Sequence, residues 1–237
     1  MSNSPLVQYT KISPNKTPSR NHVIDTITIH CVVGQLSAQK VCEMFANPAR
    51  KASSNYVIGK DGEIGMSVEE KDRSWCSSSA SNDNRAITIE CASDTNPPYK
   101  INDKVYTSLI KLLVDICKRN NIPELRWRNN RNLIGKTELQ NMTVHRWFAN
   151  KACPGDYIFN RLSKIANDVN QQLKKTSFTV RVTEDMPVVI KMEPNWESET
   201  VERYVKPGVY TIVEESGNWG KLKSGLGWIP VWYTERL

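Results

Sequence analysis

Two hexapeptides of one pattern constrain this chain most: Thr26-Ile-Thr-Ile-His30-Cys31 and Ala86-Ile-Thr-Ile-Glu90-Cys91. Each alternates residue types with a period of two, which predicts a half-buried β-strand. Thr26, Thr28 and His30 share one face of the first, and Ile27, Ile29 and Cys31 the other. The second sorts the same way, with Thr88 and Glu90 opposite Ile87, Ile89 and Cys91. If the two strands pair, their apolar faces pack together and an imidazole and a carboxylate meet on the opposite side.

The segments around them supply helices. Ser37 is placed to cap a helix running to about Ala46, with Val41, Cys42 and Phe45 inward. From Lys104 to Asn120, Val105, Leu109, Leu112, Leu113, Ile116 and Cys117 recur at helical spacing. Asp156 can cap a third helix reaching residue 174, with a stripe of Phe159, Leu162, Ile165, Ala166, Val169 and Leu173. Residues 56–65 read as a hairpin closed by a type I′ turn at Asp61-Gly62, and residues 77–84 as a Ser- and Asn-rich loop. Strands alternating with helices predict an α/β (α+β) domain around one sheet.

The pattern changes near residue 176. Strand-like runs follow at 178–182, 188–191, 209–213 and 227–232, separated in part by Pro207-Gly208, Gly217-Asn218 and Ser224-Gly225. They predict a small all-β barrel at 176–237 beside a first domain at 1–175. Charge divides similarly. Residues 178–237 carry seven Lys/Arg against nine Asp/Glu, a net of −2, so the +7 of the whole chain leaves +9 for residues 1–177. A basic domain suits a polyanionic surroundings, whether nucleic acid or an anionic wall. At 39% hydrophobic residues the 237-residue chain can fill a core, and it contains no run of eighteen apolar residues to span a membrane. Its start, Met1-Ser-Asn-Ser-Pro-Leu6, lacks the pattern of a secretion signal. Six cysteines without a Cys-x-x-Cys pair are expected to be reduced and mostly core.

The chemistry concentrates in few residues. The three histidines are His22, His30 and His145. His22 lies outside every motif and is expected to be structural or exposed. His145 and Cys153 flank a short connection, and with His30 they offer two imidazoles and one thiolate, a three-ligand zinc set that leaves a position for water. Taken singly, each has an ordinary alternative as a hydrogen-bonded histidine or a core cysteine. Glu90, on the same sheet face as His30, is placed to act as general base, or is simply a surface carboxylate.

Four stretches in order, Ile-Thr-Ile-His30, Asn55-Tyr56-Val-Ile-Gly-Lys-Asp-Gly62, Asn84-Arg-Ala-Ile-Thr-Ile-Glu90 and His145…Lys151-Ala-Cys153-Pro-Gly155, resemble the zinc N-acetylmuramoyl-L-alanine amidases of the amidase-2, peptidoglycan-recognition and T7-lysozyme group. The resemblance covers roughly residues 20–175. It implies a mixed central sheet flanked by helices, with Zn²⁺ in a surface groove held by His30, His145 and Cys153. It also implies Glu90 as the catalytic carboxylate, Lys151 as the cation beside the scissile carbonyl, and Tyr56 by the metal-bound water. One departure is that relatives commonly have His after the tryptophan, whereas Trp75 is followed by Cys76, read here as a loop thiol and not a ligand.

The last sixty residues resemble bacterial SH3-type wall-binding modules at 209–222 and 227–231, though Met186-Pro187-Val188-Val189 departs from the usual first strand. Trp196, Trp219, Trp228, Trp232 and Tyr233 could line a groove; for any one of them a core position is the simpler expectation in so small a barrel. Together the resemblances imply a peptidoglycan hydrolase of the phage endolysin type. It would be made in the host cytoplasm and act on the cell wall after release, with no nucleic-acid partner and no membrane insertion. A non-catalytic peptidoglycan-binding protein of the same fold and a bacterial autolysin are the alternatives. The oligomeric state is left open.

Overall fold

The computed structural model describes residues 2–173, 177–186, 188–202 and 204–237. The chain forms two compact units, Met1–Gln172 and Leu173–Leu237. The expected boundary near residue 176 lies outside the described residues.

The first unit is built on strands β1 (Tyr9–Thr10), β2 (Lys16–Thr17), β3 (Thr26–Cys31), β4 (Tyr56–Ile58), β5 (Ile64–Met66), β6 (Arg73–Ser74), β7 (Ala86–Cys91) and β8 (Met142–Thr143). Six of them make one mixed sheet in the order β1-β5-β4-β7-β3-β8, while β2 and β6 pair separately. Its centre is the parallel pair β3–β7, in register from Thr26 opposite Ala86 to Cys31 opposite Cys91. The helices are α1 (Ala38–Phe45), α2 (Ala80–Arg85), α3 (Asp103–Arg119), α4 (Gly155–Phe159) and α5 (Leu162–Leu173).

Local sequence accounts for most boundaries. Ser37 caps α1 by accepting from the Lys40 amide, and Ala38, Val41, Cys42 and Phe45 are buried. Asn102 caps α3 through the Val105 amide. Helix α1 lies so close to β5 that a side chain at Gly65 would meet the Cys42 sulfur at 2.8 Å.

Four expectations change. All six residues of β3 are buried, so this strand is not half-exposed. Its polar face tolerates burial because the threonines are paired: Thr28 Oγ1 meets Thr143 Oγ1 at 2.7 Å, and Asn82 donates to Thr28 at 3.0 Å. Thr88 is matched likewise by Ser74 and Asn55. The β4–β5 hairpin is closed by a longer loop than a two-residue I′ turn, with Gly62 at φ 86° taking the left-handed position and Gly59 N bonded to Glu63 O. The serine-rich stretch contains α2, capped by Ser79. Finally, the last helix is interrupted: α4 ends at Phe159 and α5 starts at Leu162, and Pro154, not Asp156, precedes α4.

The second unit contains β9 (Phe178–Val182), β10 (Ile190–Lys191), β11 (Thr200–Glu202), β12 (Gly208–Ser216), β13 (Trp219–Leu222), β14 (Trp228–Pro230) and β15 (Glu235–Arg236). They form one antiparallel sheet in the order β11-β10-β14-β13-β12-β9-β15. Its core is aliphatic: Val180, Val182, Val188, Ile190, Val205, Ile212, Leu222 and Ile229. Trp219 and Trp228 are buried as expected, but Trp196, Trp232 and Tyr233 are 50%, 44% and 40% exposed. Short β-branched and aliphatic side chains already fill the interior, which leaves these three rings outside.

Candidate metal centre

The register of β3 and β7 places His30 directly opposite Glu90. In a parallel pair, opposed residues point to the same face; Glu90 there lines a cavity, and His30 is fully buried beside it. That cavity holds about 590 Å³ and is lined by Glu90, His145, Lys151 and Cys153, together with Arg73 and Trp75.

His145 and Cys153 arrive on a loop that folds back after β8. His145 opens a short 3₁₀ turn, and the Arg146 amide donates to Cys153 O at 3.2 Å, drawing the two ends together. The Arg146 guanidinium reinforces this by pairing with Asp156 at 3.0 Å and donating to Ala152 O. Gly155, at φ 80°, makes the turn beyond the thiol.

One donor atom each from His30, His145 and Cys153 lie within 4.8 Å of one another. His30 Nδ1 is 3.3 Å from Cys153 Sγ, and the two imidazoles stand edge to face at 5.2 Å. Among the described residues, three buried side-chain nitrogen or oxygen atoms have no hydrogen-bond partner: His30 Nε2, Glu90 Oε2 and Arg146 Nε. Two of the three belong to residues of this donor cluster, where a cation would satisfy groups that the protein does not.

The electrostatics agree with that role. Burial, and secondarily the neighbouring His145, lower the pKa of His30 to about 3, which holds the ring neutral as a ligand must be. Burial and then Lys151 also lower that of His145. A hydrogen bond with Cys31, then burial, raise the pKa of Cys153, so a thiolate there calls for a cation beside it. Burial raises the pKa of Glu90 to about 7, against the opposing pull of Arg50 and the hydrogen bond from Cys76.

Lys151 joins the cluster as a cavity-lining, exposed residue. Tyr56 does not, and its expected place by the metal-bound water is corrected. It is opposite Ile89 in the β4–β7 register, one residue out of step with Glu90, and so points to the other face. There its buried hydroxyl donates to Glu70 at 2.6 Å and accepts from the Ser4 amide at 2.9 Å. His22 is exposed and accepts from or donates to nothing in the cavity; its Nδ1 lies 2.8 Å from Val23 O.

Residues not anticipated from the sequence also shape the site. Asp83 accepts from the Cys76 and Ser77 amides and fixes the loop that follows Trp75. Ser78 Oγ then lies 3.0 Å from His145 Nε2. Cys76, expected to be a loop thiol and not a ligand, reaches the wall of the cavity with its sulfur 3.9 Å from Glu90 Oε1. The serine run 77–79 signals only a loop; the cap residue Ser79 and Asp83, four positions on, are the sequence traces of this arrangement.

The profile of the N-acetylmuramoyl-L-alanine amidase family (Amidase_2) matches residues 20–156, more than half of the chain. The chain belongs to this family. Its amidase unit is therefore an amide hydrolase of the class that acts on peptidoglycan. Solved structures agree on the fold. A mutant endolysin from Bacillus subtilis superposes with a TM-score of 0.51 at 16% identity, over 68% of this chain and 97% of that one. The N-acetylmuramoyl-L-alanine amidase endolysin LysCS from Clostridium intestinale gives 0.51 at 20% identity, over 70% and 99%. The catalytic domain of XlyA gives 0.51 at 16%, over 68% and 97%. No curated protein sequence matches the chain. No described helix of the amidase is long and apolar enough to cross a membrane.

Proposed function

We propose that the chain is a zinc amidase of the endolysin type, cleaving the amide between the lactyl group of N-acetylmuramic acid and L-alanine. The observation that carries this reading is the convergence of His30, His145 and Cys153 donor atoms within 4.8 Å beside the buried carboxyl of Glu90. Two neutral imidazoles and a thiol fit zinc, and three ligands leave one position free. Zinc held there supplies Lewis-acid polarisation and lowers the pKa of a bound water to about 7.

The chain's own groups do the rest. Glu90, poised near neutrality by burial, takes a proton from the attacking water and passes it to the leaving amine of L-alanine as the C–N bond breaks. The products are the lactyl carboxylate and a free amino terminus. Lys151 sets an ammonium at the cavity edge, where negative charge builds on the carbonyl oxygen. Trp75 and Arg73 flank the same cavity, offering an apolar ring and a cation to a glycopeptide. A non-catalytic binder would not need the thiol, and the intact ligand set supports the enzyme.

The second unit is assigned to wall attachment as an SH3-type module. The support is its small all-antiparallel sheet and the exposed rings of Trp196, Trp232 and Tyr233, with Trp196 at the centre, its ring 5.0, 5.9 and 6.4 Å from those of Trp219, Trp232 and Tyr233. Release of new L-alanine amino termini from purified peptidoglycan, dependent on zinc, tests the function. Release of reducing sugar ends or of internal peptide termini instead would refute it.

A further inference from the structure

Cys76 takes no part in the chemistry proposed above, yet its sulfur lines the same cavity, 3.9 Å from Glu90 Oε1. One donor atom each from His30, Cys76 and Glu90 lie within 4.8 Å of one another, the same bound that His30, His145 and Cys153 meet. His30 belongs to both groups and has two ring nitrogens to offer. Nδ1 faces the Cys153 sulfur at 3.3 Å, whereas Nε2 is buried and unpartnered. Glu90 is divided in the same way. Oε1 is turned to Cys76 and Oε2 is buried without a partner.

Both residues that carry an unpartnered atom are therefore members of the second group. A buried nitrogen and a buried carboxylate oxygen left without hydrogen bonds are costly, and a bound cation would satisfy both at once. The donor types select the cation. A thiolate and an imidazole favour zinc, cobalt or cadmium, and a site with one carboxylate and no carbonyl oxygens is poor for magnesium or calcium.

We propose that Cys76, Glu90 and His30 form a second, inhibitory position for a thiophilic divalent cation, filled after the first. Calling it second and inhibitory rests on the reading of His30, His145 and Cys153 as the first position and Glu90 as the base. Binding is an exchange of protons for metal without redox change: the Cys76 thiol proton, the His30 Nε2 proton and any proton held by Glu90 leave to solvent as the metal–ligand bonds form, and His30 then bridges the two positions as an imidazolate. Glu90 then donates its lone pairs to the cation and can no longer take a proton from water. Inhibition follows from using one carboxylate for two purposes.

The test is an anaerobic titration of the metal-free full-length chain with cobalt(II), read by thiolate-to-cobalt charge-transfer absorption, alongside hydrolysis measured at increasing zinc. The wild type is expected to show a first thiolate band lost in Cys153→Ala and a second, at higher cobalt, lost in Cys76→Ala. In hydrolysis, zinc beyond one equivalent slows the wild type. In Cys76→Ser the zinc needed for the same fractional inhibition rises by at least about 100-fold, more than the loss of an outer-shell partner costs. The surviving Cys153-dependent band in the Cys76 variants shows that they are folded. A titration unchanged by Cys76→Ala, or equal zinc inhibition of both proteins, overturns the second position. If the wild type shows only a band that Cys76→Ala abolishes, the first ligand set fails while the Cys76 position stands.

Discussion

His30 and Glu90 are register partners on adjacent parallel strands, and each has a buried side-chain atom that the protein leaves unpaired. The pairing fixes a metal-ligand candidate and a carboxyl on one sheet face without relying on loops. Glu90→Gln keeps the shape and removes the base. It is expected to retain zinc and substrate binding while kcat falls by roughly 10²-fold or more. Loss of zinc in this variant would make Glu90 a ligand or a structural group instead.

On the opposite face, Arg119 donates to both oxygens of the buried Glu70, at 2.9 and 2.6 Å, and Glu70 accepts from Tyr56. Arg119→Met leaves a buried carboxylate without its cation and should destabilise the amidase unit by about 3–5 kcal/mol. Denaturant unfolding followed by tryptophan fluorescence checks this, and a loss below about 1 kcal/mol would contradict it. Tyr56→Phe removes one hydrogen bond from the same network. It should lower stability while leaving kcat within about twofold, since the hydroxyl is spent on Glu70 and Ser4.

The aromatic cluster separates binding from folding. Trp232→Ala removes a ring that is 44% exposed and is expected to weaken wall binding at a smaller cost in stability than a buried ring carries. Trp219→Ala empties a buried position and should cost about 3–5 kcal/mol. Equal stability losses in the two would mean that the exposed rings are structural.

A fragment ending at residue 172 should hydrolyse soluble muropeptide about as well as the whole chain and intact walls less well, because the lost unit supplied local concentration. The +9 of residues 1–177 gives some attraction to an anionic wall, so the deficit should widen with salt. A fragment that matches the full chain on walls at every salt concentration would remove the attachment role.

The alternating hexapeptides made the central pair legible, down to which residues share a face, because a period of two is written directly in Thr26–Cys31 and Ala86–Cys91. Tyr56 was not legible. Its three-residue strand is buried on both faces and carries no alternation, so its direction depends on the pairing of Tyr56 with Ile89. Cys76 owes its place to Asp83, which holds the Cys76 and Ser77 amides across a loop whose composition signals only a turn. The exposure of Trp196, Trp232 and Tyr233 depends on how much volume Val180, Ile212, Ile229 and their neighbours already fill, a sum over the whole unit and not a local pattern.

Zinc content measured on the full-length wild type and on Cys153→Ser, after loosely held metal is removed, tests the central claim most directly. The ligand set predicts about one zinc per wild-type chain, and loss of most of it together with amidase activity in the variant. A Cys153→Ser protein that keeps its zinc and its activity, or a wild type fully active without zinc, would contradict it.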